Sequence, residues 1–306
     1  MENLQETETE KLMIGIPTGS MKDAVLNLLL KAGYEIPKKS KLKIIKETIQ
    51  KLKSVFEPSA DIGRKLDLET LTNILSRVDR KFRNAELLAD GTTDIAIGTD
   101  DYFLNSGFSD DIAPIGESMV LSRNTRQLTK IVLAGNQETA KGFKPEKLRG
   151  KIIATEMWRL AQIQLMKLYG FSEDDFVILD NDPNVLKISL DERNKRIENA
   201  KKDGKIILRK SDGGTEATIV PDGKGETVAD FCIEITETGT SMIENDLKIL
   251  ATIFESGVNV FIARSQIENK KILNAAIDVY VKMQTVLARE RGEEYSSGSL
   301  FFTPEI

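Results

Sequence analysis

Thr238, Gly239, Thr240 and Ser241 place three hydroxyl groups and one position without a side chain in four consecutive residues. They follow an apolar run, Phe231-Cys232-Ile233-Glu234-Ile235, that reads as a buried strand. Met242, Leu247 and Leu250 then fall on one face of an expected helix. A strand, a small-residue turn and a helix start leave several main-chain N–H groups without internal partners, at the positive end of the helix dipole. That is phosphate-binding chemistry. The hydroxyls add donors, and Gly239 lets the backbone come close. A branched side chain at Gly239 is therefore expected to fill the space a phosphate needs. An ordinary strand–turn–helix connection explains the same residues, and the turn alone leaves both readings open. Gly19 and Ser20 open a second turn of this kind after the apolar run 12–17. A cationic cluster, residues 77–83 (RVDRKFR), offers Arg80, Lys81 and Arg83 as a phosphate clamp, with a solvated surface as the alternative.

Composition narrows what those groups could do. The chain has 306 residues and contains no histidine and one cysteine, Cys232. Ser–His–Asp and Cys–His catalysis and histidine-ligated metals are excluded, as are internal disulfides and a zinc cluster. Catalysis must use carboxylates, lysine, arginine, hydroxyls, main-chain dipoles or an oxygen-bound cation such as Mg²⁺. A net charge of −5 argues against a nucleic-acid partner. The acidic, polar start MENLQETETEKL does not read as a signal peptide, and no apolar run is long enough to span a membrane, so a cytoplasmic protein is expected.

The elements that must position the turns alternate. Strands are expected at 12–17, 93–97, 112–121, 130–134, 151–154, 176–179, 205–209, 231–235 and 258–263. Helices are expected at 21–33, 38–53, 66–75, 86–90, 102–105, 155–169, 190–200, 243–254 and 272–289. The highly charged stretch 181–204 reads as an appended surface element. This order defines an α/β protein with largely parallel sheets, in which ligands sit beyond strand C-terminal ends.

Several stretches together resemble the ATP phosphoribosyltransferase family, the first enzyme of histidine biosynthesis. They are IGIPTGSM at 14–21, LLKAGY at 29–34, DGTTDIAI at 90–97 followed by Asp100-Asp101, KIIATE at 151–156, GTEA at 214–217 and the signature at 229–247, in collinear order over about 250 residues. Thr18 stands where the family usually has lysine, Glu234 where it has aspartate, Ser241 where it has threonine and Asp246 where it has glycine.

The resemblance implies a two-lobed fold like a type II periplasmic binding protein, with a central cleft. Residues 1–114 and 258–306 would form one lobe and 115–257 the other, without a full regulatory domain. The implied reaction is attack of ATP on phosphoribosyl pyrophosphate, with Mg²⁺ as cofactor. Thr238, Gly239, Thr240 and Ser241 would hold the 5′-phosphate. Glu234 would meet ribose hydroxyls directly or through Mg²⁺, and Glu216 would assist as the second catalytic carboxylate. Gly19, Ser20, Arg80, Arg83, Asp100, Asp101 and Thr155 complete the implied substrate-binding set. A homo-oligomer, with or without a separate regulatory subunit, is the implied assembly. Three rivals use the same residues: a phosphoribosyltransferase acting on another nucleophile, a non-catalytic regulatory subunit, and a solute-binding protein.

Overall fold

The computed structural model describes residues 12–17, 20–34, 83–121, 127–179, 189–211 and 214–295. The helices expected at 38–53 and 66–75 lie outside them. The chain forms two compact units, neither contiguous in sequence. The first comprises Met1–Thr99, Phe108–Met119 and Val258–Ile306; the second comprises Asp100–Gly107 and Val120–Gly257. The boundary expected at 114/115 is therefore crossed differently: 100–107 belong to the second unit and 108–119 to the first.

The first unit is built on a four-stranded sheet, ordered β1 (Ile14–Gly15), β2 (Ile95–Thr99), β10 (Val258–Ala263), β3 (Ile112–Pro114). β1 runs parallel to β2, whereas β10 is antiparallel to both its neighbours. Every residue of β10 is buried. The buried Asn259 satisfies its amide by donating to the Gly116 carbonyl at 2.7 Å. Helices α1 (Ser20–Lys31), α2 (Arg83–Ala89) and α8 (Lys270–Arg291) belong to this unit. Buried Ile272, Ala276, Val279, Tyr280, Met283 and Leu287 follow helical spacing along α8. Asn269 caps its start by accepting from Lys271 and Ile272 N–H, and Gly292 ends it in a left-handed conformation. The Tyr34 hydroxyl donates to Asp278, and Lys31 pairs with Glu290, joining the end of α1 to α8.

The second unit is built on a six-stranded sheet. Its order is β6 (Phe176–Ile178), β7 (Ile206–Lys210), β5 (Ile152–Thr155), β8 (Phe231–Thr236), β4 (Thr129–Gly135), β9 (Lys248–Ser256). The first four are mutually parallel, and β4 runs antiparallel to both β8 and β9. The sheets are thus mixed, with the parallel part where strands alternate with crossover helices. One face packs Ile131, Leu133, Phe231 and Ile233 against Leu160, Ala161 and Leu165 of α5 (Trp158–Tyr169). The short α3 (Asp100–Asn105) and α4 (Gln137–Ala140) also lie in this unit. Asn105 caps α5 from outside, its side-chain oxygen accepting from Arg159 and Leu160 N–H.

Two sequence expectations change here. Residues 190–200 are not an appended surface element. α6 (Leu190–Lys202) precedes β7 in the connection from β6, and its Ile197 and Ala200 pack with Ile207 on the second sheet face. A few apolar residues suffice because only one narrow stripe is covered. The helix expected over 243–254 is also overturned: α7 (Thr240–Glu244) is short, and β9 follows it. Asp246 takes a left-handed conformation (φ 53°) that breaks the helix, and Ile249, Thr252, Ile253 and Phe254 are the residue types strands favour.

Candidate functional site

β8 carries the candidate site because its two faces differ. Phe231 and Ile233 enter one core cluster, and Ile235 packs against it. Cys232 lies on the other face with Ala134, Ala154, Met242 and Leu247. Glu234 and Thr236 follow Cys232 at two-residue intervals, so this second face turns from apolar to polar toward the strand's C-terminal end.

The Glu234 carboxyl is partly buried, and burial is the main cause of its raised proton affinity. The Ile235 N–H, donating to Glu234 Oε1 at 3.0 Å, opposes that shift, and the nearby Thr215 hydroxyl is buried without a hydrogen-bond partner among the described residues. Glu216 and Glu156 add to it as like charges. Gly214 takes a left-handed conformation (φ 57°) before the 3-10 turn Thr215–Ile219, which brings Glu216 and Thr215 to Glu234. The Cys232 thiol, deeper on the same face, is pushed up to about 12 by burial, with Glu234 and Glu216 contributing. It is inert as a nucleophile at neutral pH.

The loop after β8 is held by its own side chains. The Gly239 N–H donates to Thr236 Oγ1 at 2.7 Å, and the Thr238 and Thr240 hydroxyls pair at 2.7 Å. Gly239 sits at φ 75° as the residue before α7, and its carbonyl accepts from Ile243 N–H at 3.1 Å. A Cβ at Gly239 would meet only Ile249 Cδ1, at 3.6 Å, an ordinary contact. The glycine is required by its backbone angle, which other residues adopt with strain. At five residues α7 contributes little dipole, so the polar character of this loop rests on its N–H and hydroxyl groups.

The remaining expected site residues are spread across both units. Asp100 and Asp101 are buried at the start of α3. Asp100 Oδ2 accepts from Gly257 N–H at 2.9 Å, and Asp101 Oδ1 accepts from the Ser256 hydroxyl at 2.6 Å. Both carboxylates thus tie α3 to the end of β9. Thr155 is fully buried, and its hydroxyl accepts from Met157 N–H at 3.0 Å, shaping the turn between β5 and α5. Ser20 and Arg83 are the first residues of α1 and α2. Thr18, Gly19, Arg80 and Lys81 lie outside the described residues.

Three participants were missed in the sequence: Glu156, Thr215 and Thr236. Alternation along β5 and β8 could have found two of them, since Glu156 and Thr236 continue the face of Ala154 and Glu234. Thr215 lies within the GTEA stretch, but its place beside Glu234 depends on the tertiary fold of its turn.

The described residues do not build an all-protein cage for Mg²⁺. Among the described residues no three acidic, histidine or cysteine side chains are spaced to hold a metal ion. The three glutamates influence one another as charges without forming a chelate. Mg²⁺ is usually held by one or two carboxylates together with the phosphates of a bound substrate, an arrangement that needs no such cage.

The site belongs to a partly parallel α/β sheet with a Thr-Gly-Thr-Ser loop and carboxylates at the C-terminal end of one strand, the end at which ligands bind in such sheets. The family described as "HisG: ATP phosphoribosyltransferase" matches residues 84–284, and the chain belongs to that family. It is 26% identical over 245 residues to the ATP phosphoribosyltransferase of Geotalea uraniireducens (strain Rf4), covering 80% of this chain and 62% of that relative. Its identity to the Chlorobium chlorochromatii (strain CaD3) ATP phosphoribosyltransferase is 24% over 274 residues, covering 88% and 71%. This chain thus spans less than two thirds of the first relative's length. Its fold is similar to that of a chain in the ATP phosphoribosyl transferase (HisG:HisZ) complex from Thermotoga maritima. That similarity has a TM-score of 0.50 and 18% identity, covering 91% of this chain and 98% of that one. Among the described residues no helix is long and apolar enough to cross a membrane.

Proposed function

We propose that the chain transfers the phosphoribosyl group of phosphoribosyl pyrophosphate to N1 of ATP, giving phosphoribosyl-ATP and pyrophosphate, as the first step of histidine biosynthesis. The observation that carries this reading is the conjunction, on β8, of the Glu234 carboxyl with the glycine-dependent loop 238–241. In the reaction N1 attacks the anomeric carbon while the C1–O bond to pyrophosphate breaks, with inversion. The protein needs to position the reactants and stabilise charge, not to form a covalent bond.

Thr238, Thr240 and Ser241 hydroxyls and the first N–H groups of α7 hold the 5′-phosphate. Glu234 and Glu216 accept hydrogen bonds from the ribose hydroxyls, and the Ile235 N–H keeps the Glu234 carboxyl in place. Negative charge beside the anomeric centre favours an oxocarbenium-like transition state. The Mg²⁺ bound to the donor's pyrophosphate belongs to the substrate. The enzyme works in the cytosol as a homo-oligomer. The Thermotoga maritima complex supports a separate regulatory subunit as a further partner.

Mixing the protein with ATP, phosphoribosyl pyrophosphate, Mg²⁺ and pyrophosphatase, and following phosphoribosyl-ATP by ultraviolet absorbance, tests this. Steady product formation is expected. Product with another base but not with ATP would replace the nucleophile, as the threonine at position 18 would allow; binding of the donor with no product from any base would leave a regulatory subunit.

A further inference from the structure

We propose that Lys130 is a binding residue for the sugar 5′-phosphate, supplying the positive charge that the loop itself lacks. The proposal rests on the assignment of loop 238–241 to that phosphate and names the cation of that same site.

The need for such a cation follows from the sequence. Residues 231–247 contain Glu234, Glu237, Glu244 and Asp246 but no lysine or arginine. A phosphate dianion entering this stretch meets hydroxyl and N–H donors in a field of carboxylates. The short α7 contributes little opposing dipole. Those donors are charge-assisted by the phosphate itself, but they bring no countercharge to balance a dianion among carboxylates.

Lys130 is placed to answer that need. It is the second residue of β4, directly opposite Thr236, the last residue of β8. In this register Val132 faces Glu234 and Ala134 faces Cys232. Ala134 and Cys232 share the second-face core cluster, whereas Ile131 and Leu133 join the opposite one. Alternation therefore puts Lys130 on the same face as Glu234 and Thr236, at the same end of the sheet as the loop. Thr236 is the residue whose hydroxyl holds the Gly239 N–H. A lysine directly across from it reaches the loop with its flexible stem.

The Lys130 side chain is half-buried and makes no hydrogen bond or ion pair among the described residues. Glu255 is its neighbour on the other side, in β9. Arg209 also lies on this face, opposite Ala154, but two strands away from β8, and it has interactions of its own. Lys130 is thus the cation nearest in register to the loop among those on this face.

The test is calorimetric titration of the full chain with phosphoribosyl pyrophosphate, ribose 5-phosphate and inorganic pyrophosphate, each separately. The proteins are wild type, Lys130→Met, Lys130→Arg, Glu255→Gln and Gly239→Ala, with thermal melts confirming the fold. Lys130→Met is expected to weaken ribose 5-phosphate and phosphoribosyl pyrophosphate by about tenfold or more while leaving inorganic pyrophosphate unchanged. Lys130→Arg should recover most of the loss, and Glu255→Gln should leave affinity equal or slightly tighter. Wild-type ribose 5-phosphate affinity in Lys130→Met, with Gly239→Ala impaired, would overturn the role of Lys130 and leave the loop assignment standing. A wild-type protein that binds neither sugar phosphate would overturn both. If Lys130→Met and Glu255→Gln lower the melting temperature alike and neither changes affinity, Lys130 is a strand-pairing residue.

Discussion

Gly239 is the position where one side chain decides most. Its φ of 75° costs other residues about 1–2 kcal/mol, yet a Cβ there meets nothing closer than 3.6 Å. Gly239→Ala should therefore destabilise the loop through its backbone and weaken phosphoribosyl pyrophosphate binding, with Gly239→Val worse because β-branching stiffens the strained residue. Titration with the sugar phosphate beside thermal melts checks this, and unchanged binding in Gly239→Ala would detach the loop from the phosphate. The glycine was visible in the sequence, but the reason for it was not, because φ is set by the Thr236 hydroxyl three residues earlier.

Glu234 gives a pH-dependent expectation. Its proton affinity is raised, chiefly by burial. A carboxyl of this kind favours folding while protonated, below its unfolded pKa of about 4.3, and that contribution is lost as pH rises through the higher folded value. Glu234→Gln should thus melt at a higher temperature than wild type near pH 7, with the gap closing below about pH 4. It should also bind the ribose donor less well. A melting difference that is the same at both pH values would remove burial as the cause.

Among elements, β8 is clamped at the end opposite its loop. Asp230 accepts from Lys151 Nζ and from Ile152 N–H, both at 2.9 Å, and so ties the start of β8 to the start of β5. The aspartate belongs to the same signature stretch as the loop but sits at the other end of a six-residue strand, roughly 20 Å away. Asp230→Ala should cost about 1–3 kcal/mol in denaturant unfolding, since it strands the partly buried Ile152 N–H, while sugar-phosphate affinity stays near wild type. An affinity loss without a stability loss would put Asp230 in the site. Strands such as β10 and β8 were legible because they are short apolar runs with clear flanks. The 243–254 region was misread because Met242, Leu247 and Leu250 mimic helical spacing, while the break depends on a left-handed Asp246. The role of α6 was hidden for a related reason: its covered stripe is too thin to stand out among its charges.

At the scale of the whole molecule, the α/β class and the interrupted units follow from alternating elements and from β10, which joins β2 only through tertiary contact, pairing Val260 with Ile97 and Ile262 with Ile95 across most of the chain. Local pattern could place β10 as a strand but could not say which sheet it joins. The exchange of 100–107 and 108–119 between units was illegible for the same reason. It rests on Asn105 capping α5 and on Asp100 and Asp101 bonding to Ser256 and Gly257, partners more than fifty residues distant.

The solitary thiol of Cys232, sealed in the middle of the six-stranded sheet, gives this chain a built-in clock. A disulfide reagent such as Ellman's can consume it only when the sheet opens. At low reagent the colour should develop at a rate proportional to the equilibrium fraction open, and at high reagent it should level off at the opening rate itself. A bound sugar phosphate should slow the first regime by the factor 1 + [L]/Kd. Immediate reaction of the folded protein would mean that the sheet breathes far more freely than its packing implies.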